Sequence, residues 1–356
     1  MDRRPADARH HRLTALMTGV ALGLLPAAAG AQTPHDGRAR ADQEGVFSLV
    51  VENDSLSSGA DRNYTSGIEL SYTSPATNPR IPRWLDNAAS PFTHFLSDAD
   101  PTFWGASIGQ AIFTPQDIQA VPAPPDQHPY AGWLFVQLMV AAEVAPNDRR
   151  GGHLDSYELE FGLIGPSALG EEAQNSIHKV LGAPSAKGWD SQLHDEFAFA
   201  ASFDRRWRWL PFGVPGVVGL SFDATPQVGF TVGTLRDEAR AGLILRLGNL
   251  LTSDYGPPRV RPSLAGVEHF ANVPFSWNVF AGVEGRAVAR DLFLDGNTFE
   301  DSAHVERIPY VADFQAGFSM SVHEWRMTYT FVWRTDEFTT QNGRQDFGSL
   351  SFSRRF

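Results

Sequence analysis

The sequence predicts an all-β fold, a transmembrane antiparallel β-barrel of about twelve strands with a short helix in an outward-facing loop. Three observations predict it: an apolar export leader, a final segment that alternates apolar and small polar residues, and twelve segments of strand character. The 356 residues include no cysteine. An exported chain without disulfides depends for its stability on a core or on a closed hydrogen-bonded framework.

The N-terminus has the pattern of a secretory signal peptide. Four arginines precede the apolar run 13–25, and small residues at 29–31 mark a cleavage site after Ala31. The run is too short to span a membrane as a helix. We therefore expect residues 1–31 to be removed and residues 32–356 to form one outer-membrane barrel domain.

The C-terminus is typical of the last strand of an outer-membrane barrel. Leu350 and Phe352 alternate with Ser351 and Ser353, and the chain closes on Phe356. Apolar residues that face lipid and small polar residues that face the lumen produce this alternation. Arg354 falls in the outward phase, and we expect it to snorkel to the interface. The terminal strand is also the segment that we expect the barrel-assembly machinery to recognise.

The remaining strand signals give an even number of strands, as bacterial barrels require. With the last strand they make twelve; the other eleven are predicted at 46–54, 66–74, 105–113, 131–143, 154–163, 195–208, 219–234, 237–249, 276–289, 304–320 and 322–334. Aromatic residues form 12% of the chain, which suits girdles at the two membrane interfaces, and Tyr130 and Trp133 are expected to be such anchors.

The even count places both termini in the periplasm, so the odd-numbered connections face outward. The third of these, 164–194, contains the helical segment. Two inner connections, 75–104 and 250–275, are longer than periplasmic turns normally are. They are either ordered plugs or caps, or a sign that part of the strand assignment is wrong.

The helical segment is the first candidate site. Ser167 is expected to cap it, Glu171 and Glu172 suit the positive end of the helix dipole, and Gly182 ends it. At 3.6 residues per turn, Gln174 or Asn175 shares a face with His178. A histidine with amide and carboxylate companions is a candidate for proton transfer. The alternative is an ordinary solvated helix face.

The second candidate is the loop after the first strand. Its side chains are rich in oxygen donors, namely Asn53, Asp54, Ser55, Asp61, Asn63 and Thr65. Hard oxygen ligands in a chain without cysteine suit Ca²⁺. The alternative is a polar barrel loop with Asx turns. Asn53 has the phase of Phe47 and Leu49, which is the side predicted to face lipid.

Charge excludes one class of partner. The chain has 41 acidic and 29 basic residues, a net charge of −12. Nucleic-acid binding requires clustered positive charge, so no nucleic-acid partner is expected.

Together these segments resemble the outer-membrane lipid A 3′-O-deacylase family. The resemblance covers nearly all of the predicted mature chain. It is most specific in Glu52-Asn53-Asp54, Tyr64-Thr65-Ser66-Gly67, Pro129-Tyr130-Ala131-Gly132-Trp133, Gly165-Pro166-Ser167 and Gln174-Asn175-Ser176-Ile177-His178. The family is a twelve-stranded barrel with its site between the outer barrel wall and a helix from an outward loop. It uses Ca²⁺ to remove the 3′ acyloxyacyl group from lipid A in the outer leaflet.

The resemblance also implies roles for individual residues. His178 would be the general base that activates water, and Asp54 would be the main Ca²⁺ ligand. Asn53 and Thr65 would support the metal site, with Asn53 as a further ligand, and Gln174 would orient the histidine or the substrate. We expect the phosphates of lipid A to meet basic residues, for which the sequence offers Arg62, Lys179 and Lys187.

Two other functions remain open at this point. A phospholipase-type esterase of the outer leaflet could use the same Ca²⁺ and histidine. A passive pore or structural barrel is the non-enzymatic reading, because inward carboxylates such as Glu69, Glu158 and Glu160 can line a channel or pair with arginines. The sequence favours the lipid A deacylase.

Overall fold

The computed structural model describes residues 44–56, 63–76, 80–87, 90, 102–144, 152–213, 219–251, 254, 256, 270, 273–343 and 345–356. The predicted signal peptide, residues 1–31, lies outside these ranges. Among the described residues, no helix has the length and apolar character needed to cross a bilayer.

Strands make up most of the described chain. They are β1 Val46–Asn53, β2 Asn63–Thr73, β3 Phe103–Thr114, β4 Ala131–Val144, β5 His153–Ile164, β6 Glu196–Trp207, β7 Trp209–Gly213, β8 Ser221–Gly233, β9 Arg236–Gly248, β10 Val273–Asp291, β11 Tyr310–His323, β12 Trp325–Arg334 and β13 Gln345–Arg355. Two α-helices lie in outward loops, α1 Gly170–Leu181 and α2 Leu292–Asp295. A short helical turn covers residues 83–87.

The strands close into a barrel. Each pairs antiparallel with its neighbours, β1 pairs with β13, and β6 pairs with β8. β7 follows β6 along the same partner, because both segments pair with β8. β6 and β7 together therefore act as one strand of the wall, to which β7 adds five residues. Counted in this way, the barrel has twelve strands, as predicted. The predicted strand at 304–320 begins only at Tyr310, because Val305 packs instead with Leu294 and Phe338 of the outer loops.

The alternation predicted from the sequence matches the two faces of the wall. On β1, Phe47 and Leu49 are exposed, whereas Ser48 and Glu52 are buried in the lumen. On β13, Phe352 is exposed and Ser351 is buried. Apolar residues outside and polar residues inside are what a bilayer requires of a barrel. The outward Arg354 guanidinium stacks over the exposed Trp325 ring, 4.9 Å from its centroid.

Paired charges fill much of the lumen. Arg334 contacts Asp313 at 2.7 Å, and Arg240 and Arg246, both on β9, make buried ion pairs with Asp204 and Asp223. Glu160 accepts a hydrogen bond from the Trp133 indole at 2.6 Å. Trp133 is fully buried in the lumen, so its expected role as an interface anchor is wrong. A period of two cannot say which phase faces inward at a given position.

Both ends of the lumen are capped. At the outer mouth, Leu292 and Phe293 of α2 are buried in the main apolar cluster, and the Phe293 ring stacks on Phe113 at 4.1 Å. At the periplasmic end, Asp254 from the inner connection binds Arg326 at 2.6 Å, and Phe270 is fully buried beside the Arg355 guanidinium. The described residues Asp254 and Phe270 of the connection after β9 therefore cap the periplasmic end of the lumen, and the strands predicted on both sides of it, β9 and β10, are confirmed.

Candidate active site

The first half of the site lies on the outer ends of β1, β2 and β3. The register between β2 and β3 shifts between Tyr64 and Ser66, which makes Thr65 a bulge residue. Asn53 donates its side-chain N–H to the main-chain oxygen of Thr65 at 3.1 Å. The Thr65 hydroxyl lies 2.7 Å from that of Thr114 on β3. At the bulge, polar groups of β1, β2 and β3 thus contact one another at the outer rim of the barrel.

Asp54 lies directly after β1, in a 3₁₀ turn that spans Asp54–Leu56. Its side chain is buried, with only 2% of the residue exposed. The turn is fixed to the opposite side of β1, because the main-chain oxygen of Leu56 accepts a hydrogen bond from Tyr329 at 3.0 Å. Gly348 on β13 leaves room for this turn, since a Cβ there would lie 2.7 Å from the Leu56 Cβ. These contacts fix the turn that contains the Asp54 carboxylate, directly after Asn53 in the chain.

The second half of the site is helix α1. A 3₁₀ turn at Pro166–Ala168 precedes it, and Leu169 adopts a left-handed φ of 57° where the helix begins. Ser167 does not cap the helix, contrary to expectation; its N–H and hydroxyl both donate to Asp195, each at 2.7 Å. The proline-led turn moves the helix start beyond the reach of Ser167, and Asp195 ties the two ends of the loop together.

Contacts with the wall fix the position of α1. The Gln110 side-chain amide of β3 donates to the main-chain oxygen of Ala168 at 2.6 Å. Gly132 of β4 and Gly170 approach closely, because a Cβ on Gly132 would lie 3.0 Å from the Gly170 nitrogen. Only glycines allow a helix backbone to lie this close to a strand.

His178 is held by the chain reversal after the helix. Gly182, with a φ of 71°, ends α1 and turns the chain back along it. The main-chain oxygen of Pro184 then lies 2.6 Å from the Nδ1 atom of His178. A carbonyl can only accept, so Nδ1 carries the proton, and in the neutral ring Nε2 carries the lone pair. The residue is 4% exposed.

Gln174 lies one turn before His178 and is also buried. Its side-chain oxygen accepts a hydrogen bond from the Trp189 indole at 2.9 Å. Trp189 packs against Tyr130 with ring centroids 4.8 Å apart, and both are fully buried. The expectation that Tyr130 anchors the membrane interface is therefore wrong: the third outward loop covers its ring. Burial raises the pKa of Tyr130 to about 12, so its hydroxyl stays protonated and donates to the Ile118 oxygen at 3.3 Å.

Both halves of the site contact the outer face of β3. Ile112 packs in the apolar cluster beneath α1 with Tyr130 and Trp189, and Ala173 of the helix contacts the same cluster. Thr114, two residues later on the same face of β3, contacts Thr65. Ile108 on this face is 53% exposed, which identifies it as the lipid side. Asn53 and Thr65 thus lie on one side of a short stretch of β3, and the helix that carries Gln174 and His178 lies on the other.

The predicted phosphate-binding residues are less clearly placed. Arg62 lies outside the described residues. Lys179 and Lys187 are both exposed. Lys179 lines an open surface hollow together with Glu171 and Glu172.

The donor set suits a hard cation. Asp54, a buried carboxylate, directly follows Asn53 in the chain and begins the turn Asp54–Leu56. Ca²⁺ takes carboxylate, amide, main-chain and water oxygens. Among the described residues, no group of three or more His, Asp or Glu side chains is arranged to hold a metal. Among the described residues, Asp54 is the carboxylate that would hold Ca²⁺ here, together with amide, main-chain and water oxygens.

Three contributors to the site have little or no signature in the sequence. Trp189 follows the helix by several residues and has no periodic relation to it. Pro184 acts through its main-chain oxygen, which side-chain patterns do not report. Thr114 approaches Thr65 only because of the bulge, and bulges in antiparallel pairs have no strong sequence signature.

The chain matches one protein-family model and is similar to several solved structures. The family model described as outer membrane protein LpxR matches residues 16–356. LpxR from Salmonella typhimurium has 21% identity and a TM-score of 0.70, over 87% of this chain and 100% of that one. The β-domain of the Bordetella autotransporter BrkA has 12% identity and a TM-score of 0.42, over 88% of this chain and 100% of that one.

No curated protein matches the chain by sequence. The similarity to the Salmonella structure shows the fold, and the family match extends over nearly the whole chain. The protein belongs to the LpxR family of outer membrane proteins.

Proposed function

We propose that the protein is a Ca²⁺-dependent hydrolase that removes the 3′-linked acyloxyacyl group from lipid A in the outer leaflet. Membership of the LpxR family implies lipid A 3′-O-deacylase activity. The observation that carries the proposal is the junction on β3. There the polar Asn53–Thr65–Thr114 row and the helix with His178 flank the same lipid-facing strand at the outer rim.

The location suits a substrate that lies in the membrane. α2 fills the outer mouth of the lumen, so a lipid approaches the barrel from outside its wall. The acyl chains of an outer-leaflet lipid would lie along exposed residues such as Ile68 and Ile108, below the polar row. Its ester groups, which lie between the acyl chains and the sugar, would then be level with Thr65 and His178.

His178 has the arrangement that a general base needs. The proton on Nδ1 is directed at Pro184, so Nε2 is the nitrogen that accepts a proton from water. The water oxygen then attacks the ester carbonyl carbon to form a tetrahedral oxyanion. As this collapses, the bond to the sugar oxygen breaks, His178 returns the proton to that oxygen, and the acyl group leaves as a free carboxylic acid.

Other side chains would stabilise and orient the reacting groups. The oxygen of Gln174 is engaged by Trp189, so its amide N–H groups point elsewhere and can donate to the substrate or the oxyanion. Asp54 and Asn53, supported by Thr65, would hold Ca²⁺, whose positive charge stabilises the oxygen on which negative charge develops. Arg62, Lys179 and Lys187 remain the proposed contacts for the lipid A phosphates.

The two alternative functions differ in their support. A filled lumen with caps at both ends does not favour a pore. A phospholipase-type esterase would use the same groups and differ only in substrate. Assembly through the terminal strand remains a separate proposal, for which Phe356, exposed and stacked on Phe47 at 4.7 Å, is the residue to test.

The test is mass spectrometry of lipid A after incubation with the folded protein in detergent. Reactions contain Ca²⁺, or a chelator, or the His178→Ala variant with Ca²⁺. Loss of one 3′ acyloxyacyl group only with the unaltered protein and Ca²⁺ is expected. If a folded barrel, shown by its heat-modifiable gel mobility, leaves lipid A unchanged but releases fatty acid from phospholipid, the substrate assignment is wrong.

A further inference from the structure

The periplasmic end of the barrel carries an aromatic girdle on its outer face. Ring contacts link neighbouring strands there: Phe47 with Phe356 at 4.7 Å, Tyr72 with Trp104 at 5.5 Å, Tyr157 with Phe203 at 5.3 Å, and Phe203 with Phe230 at 5.8 Å. Such girdles lie at the level of lipid headgroups. They mark where the bilayer ends on this side.

The girdle has a gap at β4. Val140 occupies the register position between Trp104 on β3 and Tyr157 on β5. Val140 is nevertheless only 2% exposed, because Leu85 and Ile81 of the β2–β3 connection pack over it. This part of a periplasmic connection therefore lies against the outside of the wall, at the level of the girdle.

An ion pair next to the aromatic girdle indicates the same membrane boundary. Asp155 and Arg205 are direct partners in the register of β5 and β6, one outward row closer to the periplasm than Tyr157 and Phe203. They form an ion pair of 2.6 Å. Charged groups are costly in hydrocarbon, so the boundary between hydrocarbon and headgroups falls near these two rows.

The covering turn presents an amphipathic surface at this boundary. Its backbone is closed by hydrogen bonds from the Leu85 and Asp86 N–H groups to the Pro82 oxygen, at 2.9 and 3.0 Å. Leu85 faces the barrel, whereas the Trp84 side chain is 60% exposed. Arg80 and Arg83, on either side of Ile81 and Pro82, are also exposed.

We propose that residues 80–86 form a phospholipid-binding interfacial anchor in the periplasmic leaflet of the outer membrane. Trp84 takes the place that the missing β4 aromatic would have among the headgroups, and Arg80 and Arg83 bind phospholipid phosphate. Tryptophan and arginine both combine an apolar body with a polar end, which suits this depth. The surface continues the lipid-facing girdle and carries two exposed arginines against one exposed aspartate, Asp86, so a phospholipid fits it better than a soluble protein partner does. It lies at the opposite end of the barrel from α1 and is independent of the proposed lipid A site.

The absence of cysteine makes the test direct. The Trp84→Cys variant is labelled with an environment-sensitive fluorophore and reconstituted into vesicles of phosphatidylethanolamine and phosphatidylglycerol. Nitroxide quenchers are placed on the lipid headgroup, near the ester, or deep in the chain. Ile68→Cys, on the lipid-facing wall, and Thr339→Cys, on an exposed outer loop, are the matched controls.

We expect the label at position 84 to be quenched most by the headgroup and near-ester nitroxides. The label at Ile68 should be quenched most by the deep nitroxide, and the label at Thr339 by none of the chain nitroxides. Adding Leu85→Ser should reduce the quenching at position 84 several-fold, and Arg80→Ser with Arg83→Ser should reduce it chiefly in phosphatidylglycerol-rich vesicles. A label at position 84 that behaves like the one at Thr339, or that is shielded only when another protein is present, overturns the proposal.

Discussion

The side-chain oxygen of Gln174 accepts a hydrogen bond from the indole N–H of Trp189 at 2.9 Å. An amide has one oxygen and two N–H groups, so this contact fixes which end of Gln174 points away from the tryptophan. The Nε2 atom is buried and makes no hydrogen bond with any described residue. Trp189 therefore orients Gln174 on the helix face that it shares with His178.

Replacing Trp189 with phenylalanine tests this orientation. The ring contact with Tyr130 is retained while the indole N–H is lost. Loss of one hydrogen bond, about 1 kcal/mol, corresponds to roughly five-fold lower kcat with little change in KM. The exposed Trp325→Phe variant is the control. Equal loss of activity in both variants, or a change in KM alone, would contradict an orienting role.

Replacing His178 with alanine is expected to lower the deacylation rate by about 10²- to 10⁴-fold, the usual contribution of a general base. Release of the acyloxyacyl acid from lipid A is the measurement. The His304→Ala variant alters an exposed histidine elsewhere in the outer loops and should keep full activity. A His178→Ala protein that folds and retains its rate would exclude this residue as the base.

Replacing Asp54 with asparagine keeps the shape of the side chain and removes its charge. Because Asp54 is the main proposed ligand, we expect the Ca²⁺ concentration for half-maximal activity to rise at least about ten-fold. Thermal unfolding with and without Ca²⁺ gives a second measurement, because the ion should no longer raise the transition temperature. Asp301→Asn, an exposed outer-loop change, should leave both values as they are.

Because α1 packs closely against the barrel wall, we expect one added methyl group at Gly170 to lower the activity strongly. A Cβ on Gly170 would lie 2.8 Å from the Trp189 ring and 3.0 Å from the Gly132 Cα, so Gly170→Ala must displace the helix. Activity should fall while the barrel keeps its heat-modifiable mobility. Gly285→Ala on β10 meets no atom within 4 Å and serves as the control. Full activity in Gly170→Ala would show that the position of α1 is not critical.

The ion pairs of Asp254 at the periplasmic end of the lumen predict that the stability of the barrel depends on pH. Burial alone would raise the pKa of Asp254, but the ion pairs with Arg326 and Arg246 outweigh it and hold the pKa well below its usual range. Stability from this group is therefore fully present above its unfolded pKa of about 3.9 and is lost as the pH falls through the lower folded value. Removing one partner of a buried ion pair typically costs about 3–5 kcal/mol.

We therefore expect Asp254→Asn to lower the unfolding temperature in detergent at neutral pH, and this difference to shrink as the pH falls below about 4. The exposed Asp336→Asn variant should show no such difference. A destabilisation by Asp254→Asn that is independent of pH would show that packing, not charge, holds the cap.

The sequence by itself determined the wall of the barrel. Each strand must present apolar residues to lipid and polar residues to the lumen. Apolar and polar residues therefore alternate along the sequence, as Phe352 and Ser351 of β13 do. The same regularity located the outward loop with Gln174 and His178, because strand count alone sets the side on which a loop emerges. The end of α1 was also predictable, since Gly182 supplies the left-handed residue that the chain reversal needs.

Only the tertiary structure decided where the irregular parts lie. Ser167 has the chemistry of a helix cap but binds Asp195, because a proline-led turn separates it from the helix. Tyr130 and Trp133 have the composition of interface anchors, yet one is buried under the third loop and the other in the lumen. Thr65 meets Thr114 through a bulge, and Leu85 covers Val140 from a distant connection. These contacts join segments far apart in the chain, and short-range patterns carry no information about which distant surfaces meet.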